Sequence, residues 1–249
     1  MAVTELPKTP RSWWKYLIII LFFIGASVFV WRVFYFADLI QSGQMLKEVD
    51  LSFAKDLSKS TSLATVVSQG TNYEVVSDDD PRLGNKDARL TIVEFADFGC
   101  PYSRQVSFLV RSLAKQYEDQ IQYIYRDFPL DELHPQARLA AQAGECAQDQ
   151  GSFWEYHDKL YQNQFDLSED RLLQHAMALD LHMDQFRSCL EKEIHATEVQ
   201  KDYEDGVGAG VYGTPTFFFN GFRIPGSIPA DTFRTLIEQF LQETPETLP

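Results

Sequence analysis

The chain has 249 residues, enough for one domain of about 170 residues with accessory segments and a sizeable core. Its hydrophobic content of 45% and aromatic content of 14% exclude a disordered chain and fit a packed globule. The net charge of -14 is uneven: residues 1–36 carry +3, so the remainder carries -17, which together with the absence of a basic stripe argues against nucleic acid as a partner.

The first predicted element is an apolar run, Tyr16 to Trp31, 16 residues without a charge, extended past Arg32 by Val33–Phe36. Taken from Trp13, it reaches the ~20 residues that cross a bilayer. Trp13, Trp14, Trp31 and Tyr35 stand where interfacial aromatics belong. Lys8, Arg11 and Lys15 outweigh Arg32, which predicts a cytoplasmic N-terminus (residues 1–12), a signal anchor (13–36) and an extracytoplasmic remainder. A cleaved signal peptide ending near Ala26 is the competing reading, disfavoured because apolar sequence continues beyond it. Residues 37–70 mix Ser and Thr with Leu46, Val49, Phe53 and Leu57 at helical spacing, and read as a stalk.

A domain is expected over 71–243, with a tail at 244–249. Asp78-Asp79-Asp80 before Pro81 reads as a solvated turn. The strand Leu90–Phe95 then feeds Asp97-Phe98-Gly99-Cys100-Pro101-Tyr102-Ser103, which places Cys100 in the first turn of a helix. Unpaired N–H groups and the helix dipole favour an anion there, and the thiolate is the nucleophile of disulfide exchange. Pro101 suits the first helical position. Three residues on stands Ser103, so Cys100 cannot close a disulfide across this turn, although the Ser103 hydroxyl is placed to donate to a thiolate.

Residues 134–205 have helical spacing throughout, with one apolar face on Leu139, Ala140, Ala143 and Cys146 and a second packed helix on Ala178, Leu181, Phe186 and Leu190. The five histidines fit no zinc spacing, and no metal or other cofactor is expected; His134 and His157 read as structural. Gly206-Val207-Gly208 and Gly210 read as a flexible approach to Gly213-Thr214-Pro215-Thr216, which leads into Phe217-Phe218-Phe219.

From about Tyr73 to Leu241 the chain resembles the DsbA-like thiol-disulfide oxidoreductases of the thioredoxin superfamily. The resemblance is carried by Asp80-Pro81-Arg82-Leu83-Gly84, the strand into Cys100-Pro101-Tyr102, Arg126-Asp127-Phe128-Pro129-Leu130, His134-Pro135, Glu145-Cys146-Ala147, Gly151 through His157, and Gly213 through Phe218. It implies an α/β thioredoxin-like fold with a helical insertion, Cys100 as nucleophile, Pro215 as a cis-proline facing it, and Glu94 as a buried acid beneath it. Pro101, Tyr102 and Thr214 would meet the substrate, an X-Pro turn offering backbone groups to an extended segment. Alternation along Ile92, Glu94 and Ala96 leaves open which face Glu94 occupies.

If the two insertion helices face each other, Cys146 and Cys189 form a structural bridge worth about 4 kcal/mol in the chain-entropy view, leaving Cys100 free. The alternative makes one of them a distant resolving thiol. The function expected is single-cysteine exchange on cysteine-bearing proteins or peptides, isomerising or reducing, completed by an external thiol or redox partner. A non-catalytic binding or chaperone module using the Pro215 surface is the rival.

Overall fold

The structure is a computed structural model that describes residues 72–242, together with helical residues 16, 18, 20–22 and 24–32. The expected cytoplasmic N-terminus, stalk and C-terminal tail lie outside the described residues, as do Trp13, Trp14 and Tyr35. Two compact units are present, Met1–Thr61 and Ser62–Pro249. In the first, the helical residues expose apolar side chains such as Leu21, Phe29 and Val30. Among the described residues no helix is long and apolar enough to cross a membrane.

The second unit is built on five strands: β1 (Arg82–Gly84), β2 (Leu90–Ala96), β3 (Ile121–Asp127), β4 (Thr216–Phe219) and β5 (Phe222–Pro225), in spatial order β1-β3-β2-β4-β5. Only β2 and β3 pair in parallel, joined through helix α1 (Pro101–Gln116), because a parallel pair needs a long crossover. The remaining neighbours pair antiparallel. Five helices lie between β3 and β4: α2 (Ala137–Gln148), α3 (Phe153–Gln162), α4 (Glu169–Ala178), α5 (Met183–Glu191) and α6 (Ala196–Gly208); α7 (Ala230–Gln242) follows β5.

Strand alternation divides the core between two faces. Ile92, Tyr123, Phe217 and Phe219 pack with Val106, Val110, Phe233, Ile237 and Phe240 of α1 and α7. Val93, Phe95, Ile124 and Phe218 pack on the other face with Val75, Phe128, Ala209 and Val211. Because both faces are covered, the central strand β2 is buried throughout except at Thr91, and Glu94 is buried with it. This resolves the face of Glu94, which lies alongside Ile92 and Ala96.

The third core belongs to the helical insertion, where Cys146 of α2 and Cys189 of α5 form a disulfide with Cα atoms 5.9 Å apart. The second expected helix is two helices: Leu179–His182 break the run after Ala178, with Asp180 at a φ of 55°. The glycine-rich segment also differs from expectation. Gly206 and Gly208 belong to α6, and a Cβ on Gly206 would meet Phe128 at 2.7 Å and Phe95 at 3.0 Å. Close packing of a helix on the sheet requires that glycine.

Asp80 departs most from the sequence reading. It is buried, its carboxylate 3.2 Å from the buried Arg126 guanidinium, which also binds Asp202 and Asp205 of α6. Asp127, Glu145 and Glu198 crowd the same region. Burial first, and neighbouring carboxylates next, push Asp80 up to about 8 and Glu198 up to about 10. Asp127 and Glu145 rise well above the usual carboxylate range for the same reasons. One arginine thus ties β3 to the insertion at the centre of a carboxyl cluster.

Candidate functional site

β2 ends at Ala96, and the next three residues turn the chain into α1. Asp97 makes that turn. Its Oδ1 accepts from the Gly99 N–H at 2.6 Å, and its carbonyl accepts from the Cys100 N–H at 2.9 Å. The other oxygen, Oδ2, accepts from the Leu130 N–H at 3.0 Å and lies 2.7 Å from His134 Nδ1. His134 is therefore structural, as expected. A Cβ on Gly99 would come within 2.4 Å of the His134 side chain, so the closeness of the two segments demands glycine.

Cys100 caps α1 with extended backbone (φ -78°, ψ 122°), followed by Pro101 in the first helical position. It is the free cysteine and is 5% exposed. Its Sγ lies 3.2 Å from the Thr214 carbonyl, to which the thiol donates. Thr214–Pro215 is a cis peptide bond, so the loop expected to face the cysteine does so. Gly226 N–H donates to the Pro215 carbonyl at 2.8 Å, and the Thr216 hydroxyl to the Gly213 carbonyl at 2.7 Å, which fix that loop from both sides. A groove of about 230 Å³ runs beside it, lined by Tyr212, Thr214, Pro215 and Arg223 among others. Pro101 and Tyr102 are exposed at the mouth of the site, whereas Thr214 is buried with its hydroxyl unpartnered.

Ser103 occupies the third helical position after the cap, the place from which a side chain can reach back to the capping residue. It is fully buried, and its hydroxyl has no hydrogen-bond partner. The expected bond to Cys100 is not formed, because the thiol is turned onto the Thr214 carbonyl instead.

Glu94 lies beneath this layer. Tyr123 donates its hydroxyl to Oε2 at 2.5 Å, while Oε1 has no partner. Burial pushes the Glu94 carboxyl up to about 8, with the Tyr123 hydrogen bond only partly opposing it, so the group is mostly protonated at neutral pH. Tyr161 links the two levels. Its hydroxyl is 3.1 Å from that of Tyr125, and burial first, then Glu94, with Asp97 and Cys100 contributing, push its ionisation well up.

Several site residues were not visible in the sequence. Gln164, two residues beyond α3, donates both amide hydrogens of Nε2, to the Phe98 and Cys100 carbonyls, each at 2.8 Å. Phe98 stacks on Tyr125 with centroids 5.3 Å apart and meets Tyr161 at 5.0 Å. The insertion thus grips the cysteine turn from outside. Phe98 belongs to the cysteine turn, but Gln164, Tyr125 and Tyr161 carry no motif; only their meeting in space gives them a role.

Among the described residues three groups could converge on a cation, with ligand atoms within 4.8 Å of one another: Cys146, Cys189 and His195; Glu145, His195 and Glu198; and Asp80, Glu198 and Asp202. The sulfurs of the first are committed to the disulfide.

Residues 76–239 match the family model described as Thioredoxin. Among curated proteins, the Na(+)/H(+) antiporter NhaA 3 of Salinispora tropica is 36% identical over 203 residues, 82% of this chain and 29% of that protein. The antiporter NhaA of Herminiimonas arsenicoxydans is 34% identical over 155 residues, 62% and 24% of the two. The chain therefore spans less than a third of the length of these curated relatives. Among solved structures, oxidised BdbD from Bacillus subtilis is 26% identical with a TM-score of 0.62, covering 70% of this chain and 99% of that one. A thioredoxin-like oxidoreductase from Silicibacter pomeroyi shares the fold at 22% identity, with a TM-score of 0.61 and coverage of 74% and 99%.

Proposed function

We propose, from the premise that the chain belongs to the thioredoxin family as a DsbA-like thiol-disulfide oxidoreductase, that it exchanges disulfides on cysteine-bearing polypeptides through Cys100 alone. The observation that carries this reading is the free Cys100 at the start of α1, with its sulfur against the Thr214–Pro215 loop and Ser103 where a second thiol would sit. The Cys100 thiolate attacks one sulfur of a substrate disulfide. A bond forms between Cys100 and that sulfur, the substrate S–S bond breaks, and the second substrate sulfur leaves with the electron pair. Glu94, protonated at neutral pH, is assigned the proton that the leaving thiolate takes up. An external thiol then displaces Cys100, so the chain itself gains and loses no electrons over the cycle. This suits isomerisation and reduction of mixed disulfides rather than net oxidation.

The second part of the reading is a tether on the outer side of a membrane. It is supported by the uncharged run Tyr16–Trp31, whose described residues are helical and present exposed apolar side chains, and by a disulfide of the kind that persists in oxidising compartments.

Restoring the missing thiol tests the mechanism. Ser103→Cys is expected to confer stoichiometric oxidation of a reduced dithiol peptide, measured by loss of free thiols, where the natural chain gives none. If the thiol introduced by Ser103→Cys closes a disulfide with Cys100 yet the variant remains inert toward the peptide, exchange is not the activity of this site.

A further inference from the structure

Around Cys100 the structure sets three exposed aromatics from three separate segments. Tyr102 follows the cysteine by two residues and is 50% exposed. Phe165, 88% exposed, adjoins Gln164, whose amide holds the Cys100 carbonyl. Tyr212, 91% exposed, precedes by two residues the Thr214 whose carbonyl meets the Cys100 sulfur. Rings this exposed, on three segments that meet at Cys100, offer contact area to another molecule.

Two of the three carry a cation. The Arg104 guanidinium lies 5.2 Å from the Phe165 ring centroid, and that of Arg223 lies 5.8 Å from Tyr212. Arg223 also lines the groove beside Pro215 and is anchored to the Ala209 and Gly210 carbonyls. Among the described residues neither arginine forms a salt bridge, in a chain with 36 acidic side chains against 22 basic ones. The exposed acid next to Phe165, Asp166, is engaged by Ser168 and Arg171. Two guanidinium groups without a salt bridge thus stand on segments that meet at the thiol, one on α1 and one lining the groove beside Pro215, in a chain that is acidic as a whole.

Resting on the exchange reading above, we infer that the preferred substrate is an extended polypeptide segment in which the attacked cysteine is flanked on both sides by acidic residues, with Arg104 and Arg223 as the specificity-determining cations. The rings supply contact area that accepts many sequences, whereas the two charges select among them. The overall negative charge would repel such a segment at long range. At physiological ionic strength exposed charges more than about 8 Å away are largely screened, so the local cations decide.

Short peptides carrying one cysteine as a thiopyridyl mixed disulfide test this, with the flanking residues all glutamate, all serine or all lysine. The rate of thiopyridone release is measured at physiological salt for the full chain, Arg104→Gln and Arg223→Gln. The glutamate peptide should react about tenfold faster than the lysine peptide, and each variant should reduce that ratio about threefold. The ratio is internal to each protein, so a change in general thiol reactivity or in the active fraction cancels. A wild-type ratio near one, or a tenfold ratio that neither variant lowers, overturns the inference while the exchange reading stands. If the serine peptide also fails to react, the exchange reading falls, and this inference with it.

Discussion

At the residue scale the chemistry turns on which groups the fold leaves without partners. The Cys100 thiol is held by one carbonyl, the Ser103 hydroxyl is buried and unpartnered, and Glu94 keeps one oxygen unbonded. A carboxyl whose folded value is raised above its unfolded value contributes stability below the unfolded value, and that contribution is lost as pH rises through the folded one. For Glu94 the window runs from about 4.5 to about 8. His157 and His175, held down by burial, act in the opposite sense, but their contribution is nearly complete above their ordinary value of 6.5. Between pH 6.5 and 8, urea unfolding of the natural chain should therefore lose about 1 kcal/mol per pH unit more than that of Glu94→Gln. Parallel pH profiles for the two proteins would place the Glu94 carboxyl among ordinary, ionised acids. Gln164→Ala removes the donor that grips the Phe98 and Cys100 carbonyls from outside. Adduct formation should slow several-fold with little change in unfolding midpoint, and an unchanged rate would mean that Asp97 alone sets the turn.

At the element scale the insertion is joined to the sheet by a cation and braced within itself by a disulfide. Arg126 of β3 holds Asp202 and Asp205 of α6 together with Asp80 ahead of β1, and Cys146–Cys189 staples α2 to α5. Removing a buried partner leaves charge uncompensated, so Arg126→Met should cost about 3–5 kcal/mol by chemical denaturation. A loss below about 1 kcal/mol would show that protonation of the carboxyls already neutralises the cluster. Replacing both Cys146 and Cys189 by alanine should cost about 2–4 kcal/mol while leaving Cys100 adducts intact. Loss of adduct turnover with stability preserved would instead make one of them the resolving thiol. These links also mark where sequence reading stops. Asp78-Asp79-Asp80 looks like a solvated turn because the partner of Asp80 is Arg126, far along the chain, and nothing local distinguishes a buried aspartate before proline from an exposed one. Gly206 reads as loop because its role is contact with Phe95 and Phe128, not local conformation, and Gly208 is simply the last residue of α6.

At the scale of the whole molecule, what was legible is what the chain writes contiguously. Strand, turn, Cys100-Pro101 and helix follow one another without interruption, so the candidate thiol could be named from sequence, while the loop at Pro215 that faces it was implied by the family resemblance. The grip on that thiol could not be read. Asp97 with His134, Gln164 with Cys100, and Arg223 with Tyr212 are each assembled by the topology β2-α1-β3 followed by the helices, β4 and β5. The central claim concerns the nucleophile: one cysteine, with no second thiol to release it. Intact-mass spectrometry after a single addition of a disulfide-bonded peptide, with no other thiol present, tests it most directly. The account predicts one peptide half per chain, mapped to Cys100, persisting until an external thiol is added, with Cys146–Cys189 still closed. An adduct that clears unaided as Cys146 or Cys189 becomes linked to Cys100, or no adduct at all, would contradict it.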